Sequence, residues 1–296
     1  MPTTEHGKGI VLAISAYVLW GIAPIYFKLL ESVSPTEILL HRIIWSFVFV
    51  ALLIGFTTGY GRIRQLLKHP KKVMLLTVTS VLIAGNWLLF IWAVNNDHIL
   101  DASLGYYINP LFNIVMAMLF LGERLRKLQW VAVILAFVGV MIQVISFGSL
   151  PIISLTLAIS FCLYGLLRKK INVDASTGLL VETALLLPFT LAFLFYQLHI
   201  GESQFFMHSL SLSALLLLAG VVTSVPLLCF AGAAIRIPFS LLGFFQYIGP
   251  SLMFLLAITF YDEPFDIEKA ITFGFIWVAL IIFSLDGVIR AKKSPK

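Results

Sequence analysis

Apolar residues run along this chain in long blocks, divided by short clusters of charged residues, Pro, Gly and Asn. The blocks fall at about 10–30, 36–56, 73–94, 102–121, 128–147, 151–167, 177–198, 212–234, 240–261 and 267–289. Each is close to the roughly 20 residues that a helix needs to cross a hydrocarbon layer. Backbone amides in lipid have no water to bond, so each segment must satisfy its own. The pattern therefore predicts an all-α polytopic membrane protein of ten transmembrane helices. A β-barrel would alternate in polarity over strands of about ten residues, and Leu75–Ala84 and Phe275–Leu285 do not. The longest polar segments, about 57–72 and 199–211, are too short to hold a core of their own. The first block follows Lys8 but continues to Leu30 with no small-residue cleavage site, so it is expected to remain as a first helix.

Composition agrees: 60% of the 296 residues are apolar and 11% are charged, against roughly a quarter charged in soluble chains. Disorder, a coiled coil, a disulfide scaffold and an ordinary soluble enzyme are excluded. Cys162 and Cys229 lie far apart in apolar runs and read as small core residues. The net charge of +6 would suit nucleic acid, but its distribution has another explanation. With the N-terminus inside, the cytoplasmic segments collect Lys8; Arg62, Arg64, Lys68, Lys71 and Lys72; Arg124, Arg126 and Lys127; Arg168, Lys169 and Lys170; Arg236; and Arg290, Lys292, Lys293 and Lys296. That is 17 of the 20 Lys and Arg. The other side collects Asp97, Asp101, Asp262, Glu263, Asp266 and Glu268. Such asymmetry follows the positive-inside rule, with both termini cytoplasmic, and no nucleic-acid partner is needed.

Ten spans divide into five and five, and an odd number per half inverts the second half. Tyr107-Ile108-Asn109-Pro110 in span 4 is echoed by Tyr247-Ile248-Gly249-Pro250 in span 9, and Glu123 by Glu263 at the same offset of 140. Trp20-Gly21 resembles Tyr164-Gly165, and Thr36 through His41 aligns with Thr177 through Glu182. The expected division is residues 1–148 and 149–296, two inverted five-helix repeats. Inverted repeats place a substrate site near the midplane and allow alternating access by rocking.

Three stretches carry a family resemblance: Trp20-Gly21-Ile22-Ala23-Pro24, Gly85-Asn86-Trp87 through Asn95-Asn96, and Leu242-Gly243-Phe244 through Gly249-Pro250. With the repeat and the Pro-to-Glu pattern they make the chain similar to the RarD-type permeases, in the EamA branch of the drug/metabolite transporter superfamily. The resemblance covers essentially the whole chain. It implies a multi-pass permease of the bacterial inner membrane, with both termini cytoplasmic and a central cavity between the repeats. It implies little about substrate.

Polar side chains inside a bilayer are costly and are the first candidates for function. Arg42, a turn or two into span 2, either snorkels to the outer headgroups or faces the cavity and attracts a carboxylate, with His41 as a proton-sensitive neighbour. Glu182, the repeat-mate of His41, either snorkels, pairs with Lys169 or Lys170, or serves as a proton-coupling site. Pro110 and Pro250 remove helix hydrogen bonds and free the carbonyls of Tyr106 and Gln246. They are expected helix breaks, with Tyr106, Asn109, Asn113, Gln246 and Tyr247 as candidate contacts unless the prolines are packing kinks. Asn86 either bonds a neighbouring helix or orients a substrate stacked on Trp87. Trp20, near mid-span, is a further candidate contact.

An intramembrane serine hydrolase is the alternative class, with Ser251 after Gly249-Pro250 and His41 as its one histidine partner within a span. There is no metal-ligand spacing and no GxxxxGK[ST] nucleotide loop, so no metal and no cofactor are expected. A pseudo-symmetric single chain calls for no partner subunit. The expected partners are lipid and a small-molecule solute, and the expected state is a monomer.

Overall fold

The computed structural model describes residues 2–57, 59–96, 98–148, 151–205, 209–260 and 267–293. Among them the regular elements are helices alone: α1 (Pro2–Lys28), α2 (Pro35–Thr57), α3 (Gly61–Leu67), α4 (Pro70–Asn95), α5 (Ile99–Leu121), α6 (Lys127–Phe147), α7 (Ile152–Ile171), α8 (Ala175–His199), α9 (Leu210–Ala234), α10 (Phe239–Gln246), α11 (Ile248–Phe260) and α12 (Ile267–Lys293). Nine passages are long and apolar enough to cross a membrane, and Ala270–Asp286 in α12 adds a shorter apolar stretch. The ten expected spans are thus accounted for. The polar connection between spans 2 and 3 also contains the short helix α3.

The helix ends obey local chemistry. Asp174 caps α8 by accepting from Thr177 N at 3.3 Å, and Ser209 caps α9 by accepting from Leu212 N at 3.0 Å. Burial alone would raise the Asp174 carboxyl, but hydrogen bonds from Ser176 and Thr177 outweigh it and hold the group below its ordinary value. Gly122 and Gly148 end α5 and α6 in the left-handed conformation, at φ 65° and 74°. Glu123 then reaches from the end of α5 to the start of α10. It accepts from Phe239 N at 2.6 Å, Ser240 N at 3.0 Å and Ser240 Oγ at 2.6 Å. A carboxylate there answers both the orphan amides and the positive end of the helix dipole. Glu263, its expected repeat-mate, lies outside the described residues.

The principal helix contacts join the first five spans to the last five: α6 with α12, α5 with α7 and α10, α2 with α8 and α9, α1 with α9 and α11, and α4 with α7 and α8. Exchanging spans one to five for six to ten maps this set onto itself. The α5–α7 pair becomes α1 against span 9, α4–α7 becomes α1–α9, and α2–α9 becomes α4–α8. Consecutive helices pack little, so the two sets of five interdigitate. The largest buried cluster gathers Ala13, Ala16, Tyr17, Val50, Ile54, Leu166, Phe230, Phe239 and Leu242. It fills the end of the bundle that carries the described N-terminal residues.

The two prolines behave differently. Span 9 breaks at Tyr247, where Tyr247 N bonds Phe244 O in a tight turn at 3.2 Å. By contrast, α5 runs through Pro110 without interruption, which corrects the expected break there. Gly249 precedes one proline and Asn109 the other, and glycine yields more readily to local unwinding. In addition α5 is clamped. A side chain on Gly243 of α10 would sit 2.8 Å from Asn113 Cβ and 3.1 Å from Pro110 O, so the two backbones nearly touch. Gly243→Val should therefore cost about 1–3 kcal/mol, read as a lower thermal inactivation midpoint in detergent. Gly85→Ala, whose new methyl meets open space, should leave that midpoint unchanged or slightly raised.

Candidate functional site

Arg42 faces inward from α2. Its Nε donates to Thr223 Oγ1 on α9 at 3.0 Å. Its Cζ lies 4.7 Å from the Trp87 ring centroid on α4 and 5.4 Å from that of Phe27 on α1. Tyr106 of α5 and Tyr26 of α1 are close enough to interact with it electrostatically, and Tyr106 packs edge-on to Phe90 at 6.1 Å. Tyr26 is held by donating to Leu215 O at 2.7 Å. Five helices thus aim polar and aromatic groups at one space, yet Tyr106 is 39% exposed and Arg42, Trp87 and Phe27 are half-buried. These exposures leave the space between the five helices incompletely filled, a hollow into which Arg42 points from α2, against Thr223, Trp87 and Phe27. Nearer the rim, a cleft of about 420 Å³ opens between Leu29, Ser32, Gln204, Ser209 and Leu215, outside this ring.

A second polar group is fully enclosed. Glu182 of α8 accepts from Thr79 Oγ1 on α4 at 2.6 Å and from Tyr164 OH on α7 at 3.4 Å. Arg168 Nε lies 3.7 Å from Glu182 Oε1, and Arg168 is only 2% exposed. A Cβ on Gly178 would collide with the guanidinium, so glycine there makes room for it. The partner of Glu182 is Arg168, not the expected Lys169 or Lys170. Lys169 instead caps α9, donating to Ala234 O at 2.8 Å and Ile237 O at 2.5 Å, while Lys170 lies over the Phe120 ring.

His41 belongs to a third group, away from the hollow. Its Nδ1 accepts from Trp45 Nε1 at 3.0 Å, its ring packs on Phe205 at 4.5 Å, and Nε2 is 3.9 Å from Glu37 Oε1. Glu37 is fully buried and accepts from Ser203 Oγ at 2.7 Å and Gln204 N at 2.8 Å. Successive residues on a helix point about 100° apart, which is why His41 and Arg42 serve different places.

Where α5 crosses α10, Asn113 Nδ2 donates to Gln246 Oε1 at 2.7 Å. The Oδ1 atoms of Asn109 and Asn113 have no hydrogen-bond partner among the described residues. Pro110 and Pro250 are both buried. Tyr247 is 0% exposed and packs with Phe244, Ile276 and Phe283, so it serves the core and not a cavity wall. Asn86 ties α4 to α7 by donating to Leu157 O at 2.9 Å and Ser160 Oγ at 2.8 Å, which is the helix-bonding reading. Trp20 joins an aromatic cluster with Tyr17, Phe161 and Phe230. The serine–histidine alternative is not assembled: Ser251 Oγ accepts from Trp277 Nε1 at 3.0 Å and His41 Nδ1 from Trp45 Nε1, with no bond between the serine and the histidine among the described residues. Sequence reasoning missed Glu37, Thr79, Arg168 and Thr223 as members of these groups. Among the described residues no cluster of three metal-ligating side chains occurs.

The fold is thus a multi-pass helical membrane bundle with a cation and aromatic rings turned into its interior, and its likeness to known proteins gives its class. The model of the EamA-like transporter family matches residues 7–145. Protein RarD of Escherichia coli (strain K12) is 54% identical over 296 residues, covering 100% of both chains. An uncharacterized transporter of Vibrio cholerae serotype O1 is 58% identical, covering 95% of this chain and 93% of its own. Chloramphenicol-sensitive protein RarD of Pseudomonas aeruginosa is 31% identical over 98% of each. One solved crystal structure, 16% identical, superposes on 95% of this chain and 98% of its own with a TM-score of 0.73, a likeness of fold. The chain belongs to the EamA-like transporter family, as a permease of the RarD type in a bacterial membrane.

Removing one member of a buried ion pair strands the other. Arg168→Ala should cost about 3–5 kcal/mol in thermal stability of the purified protein. The double variant Arg168→Met/Glu182→Leu should recover most of that loss.

Proposed function

We propose that the protein is a monomeric secondary carrier, without catalytic activity, that moves a small organic solute across the bacterial inner membrane by alternating access. The observation that carries this reading is the hollow around Arg42: polar, accessible, ringed by α1, α2, α4, α5 and α9, and stopped toward the N-terminal end by the largest apolar cluster. A path open at one end and closed at the other is what one state of such a carrier requires. The set of helix contacts that exchanges onto itself supports two equivalent halves, 1–148 and 149–296, and so does a family match that ends at residue 145, in α6. The distribution of Lys and Arg supports cytoplasmic termini, so the hollow opens outward.

In this reading Arg42, Trp87 and Tyr106 meet the solute first. Trp20, Asn109, Asn113 and Gln246 line its way inward, and the break at Tyr247 lets span 9 bend. Glu182, tied across α4, α7 and α8, is the coupling group, whose protonation would loosen Thr79 and Arg168 together.

Two measurements test it. In a background lacking Cys162 and Cys229, a cysteine at Tyr106 should react with a membrane-impermeant thiol reagent added to intact cells. Protection from outside, with labelling only after the inner face is exposed, refutes the outward-open assignment. Proteoliposomes screened with a metabolite pool should show saturable, stereoselective uptake, and cleavage of an added compound without flux would favour an enzyme instead. Glu182→Gln should abolish any dependence of that uptake on a pH gradient.

A further inference from the structure

Arg42 is a permanent cation inside a lipid-embedded bundle, and among the described residues nothing neutralises it. Arg62, Arg126, Arg168 and Arg236 each lie within 4 Å of a carboxylate, at distances of 3.4, 2.5, 3.7 and 2.9 Å. Arg42 has no such partner among the described residues. Thr223 occupies its Nε, and the Trp87 and Phe27 rings favour the charge without cancelling it. Its two terminal nitrogens are not among the buried atoms lacking a partner, so they keep some exposed surface beside the Trp87 and Phe27 rings. The hydroxyl of Tyr106, on a half-exposed ring, also has no hydrogen-bond partner among the described residues.

Resting on the carrier reading, we propose that the hollow is an organic-anion site, which takes a solute bearing one carboxylate on an apolar, ring-sized body. The planar fork of a guanidinium matches the two oxygens of a carboxylate. With Nε held by Thr223, the Nη edge is the part left to bind them. Tyr106 supplies a further donor, and Trp87 and Phe27 face the apolar body. One unmatched cation calls for one negative charge. A dianion such as a phosphate monoester would leave a charge uncompensated in a ring with no second described cation, at the cost lipid imposes on any such charge.

The test uses the purified full-length protein in lipid nanodiscs, with quenching of tryptophan fluorescence as the readout of binding. The probes are benzoate, phenylacetate and butyrate, the neutral benzamide, the cationic benzylamine, and inorganic phosphate. Saturable binding of a carboxylate, with none of benzamide or benzylamine, is expected. Arg42→Gln should abolish it, and Arg42→Lys, which keeps the charge and loses the fork, should weaken it roughly tenfold to hundredfold. Thr223→Val, which leaves Arg42 in place but frees Nε, should weaken it by a smaller factor and guards against misfolding of the arginine variants. Equal binding of the amide or amine, tighter binding of phosphate, full binding by Arg42→Gln, or no carboxylate binding by folded wild type overturns the proposal. Flux in proteoliposomes separates it from the carrier reading. Carboxylate binding without flux upholds the anion site and refutes the carrier. Flux of a neutral or cationic solute that ignores Arg42→Gln upholds the carrier and refutes the anion site.

Discussion

A charged or hydrogen-bonding side chain within a lipid-embedded bundle has to be met by a partner in the protein, because lipid offers none. This constraint organises the molecule more than apolar packing does, since lipid tails are as apolar as leucine and give helices little reason to associate. The joints between helices are accordingly polar or closely approached. Asn86 holds α4 to α7, Asn113 and Gln246 hold α5 to α10, Glu123 seats α10 on the end of α5, and Ser46 donates to Gly220 O across α2 and α9 at 3.2 Å. At Gly220 the backbone of Trp45 comes so near that a side chain would collide with it. Against these joints Arg42 stands out as a half-buried cation with no carboxylate within 4 Å among the described residues, which is why the proposed site is built on it.

Much of the architecture was legible in the sequence because a membrane imposes its own thickness on it. A run such as Val131 to Val140 needs no periodicity to be read as a span. The members of the hollow were legible in part. Arg42, Trp87 and Tyr106 stand out as polar or bulky groups at membrane depth, and the structure brings them together. Phe27 and Thr223 do not stand out, since 25 phenylalanines and many hydroxyls share their description. Arg168 read as one of three consecutive basic residues at a helix end, and only the register of α7 against α8 turns it, and not Lys169, toward Glu182. Such registers depend on which small residue lies opposite which large one, here Gly178 opposite Arg168, and no single-chain pattern reports that.

The proposed repeat pairs residues along the sequence, but pairing of position did not bring equivalence of role. His41 and Glu182 align, and both are buried ionisable groups, yet one receives a bond from Trp45 on its own helix and the other binds Thr79 on the opposite half. Pro110 and Pro250 align as well, and only the second lies beside a break. In each case the neighbours decide. The close approach of Gly243 clamps α5 where it passes through Pro110, while Gly249 leaves span 9 free to turn.

Two fully equivalent halves would also make exchanged interfaces equal, and here they are not. The α2–α9 interface is extensive, closed by Ser46, Gly220 and Trp45, whereas its counterpart α4–α8 is the smaller of the two. A bond from α4 to α8 falls at Thr79 and Glu182, in the first half of each helix. Beyond it, Trp87 and Phe90 of α4 turn toward Arg42 and Tyr106. In the proposed carrier this inequality is the conformational state itself: α4 and α8, joined at Thr79 and Glu182, meet less extensively than α2 and α9. The reverse state would exchange the two interfaces, tightening α4 against α8 along its length and opening α2 from α9. It would break the Ser46–Gly220 bond and draw Thr223 from Arg42. Because that hydroxyl orients the guanidinium, the motion that opens the second side would also weaken the grip on a bound carboxylate, so release is built into the same helix displacement as access.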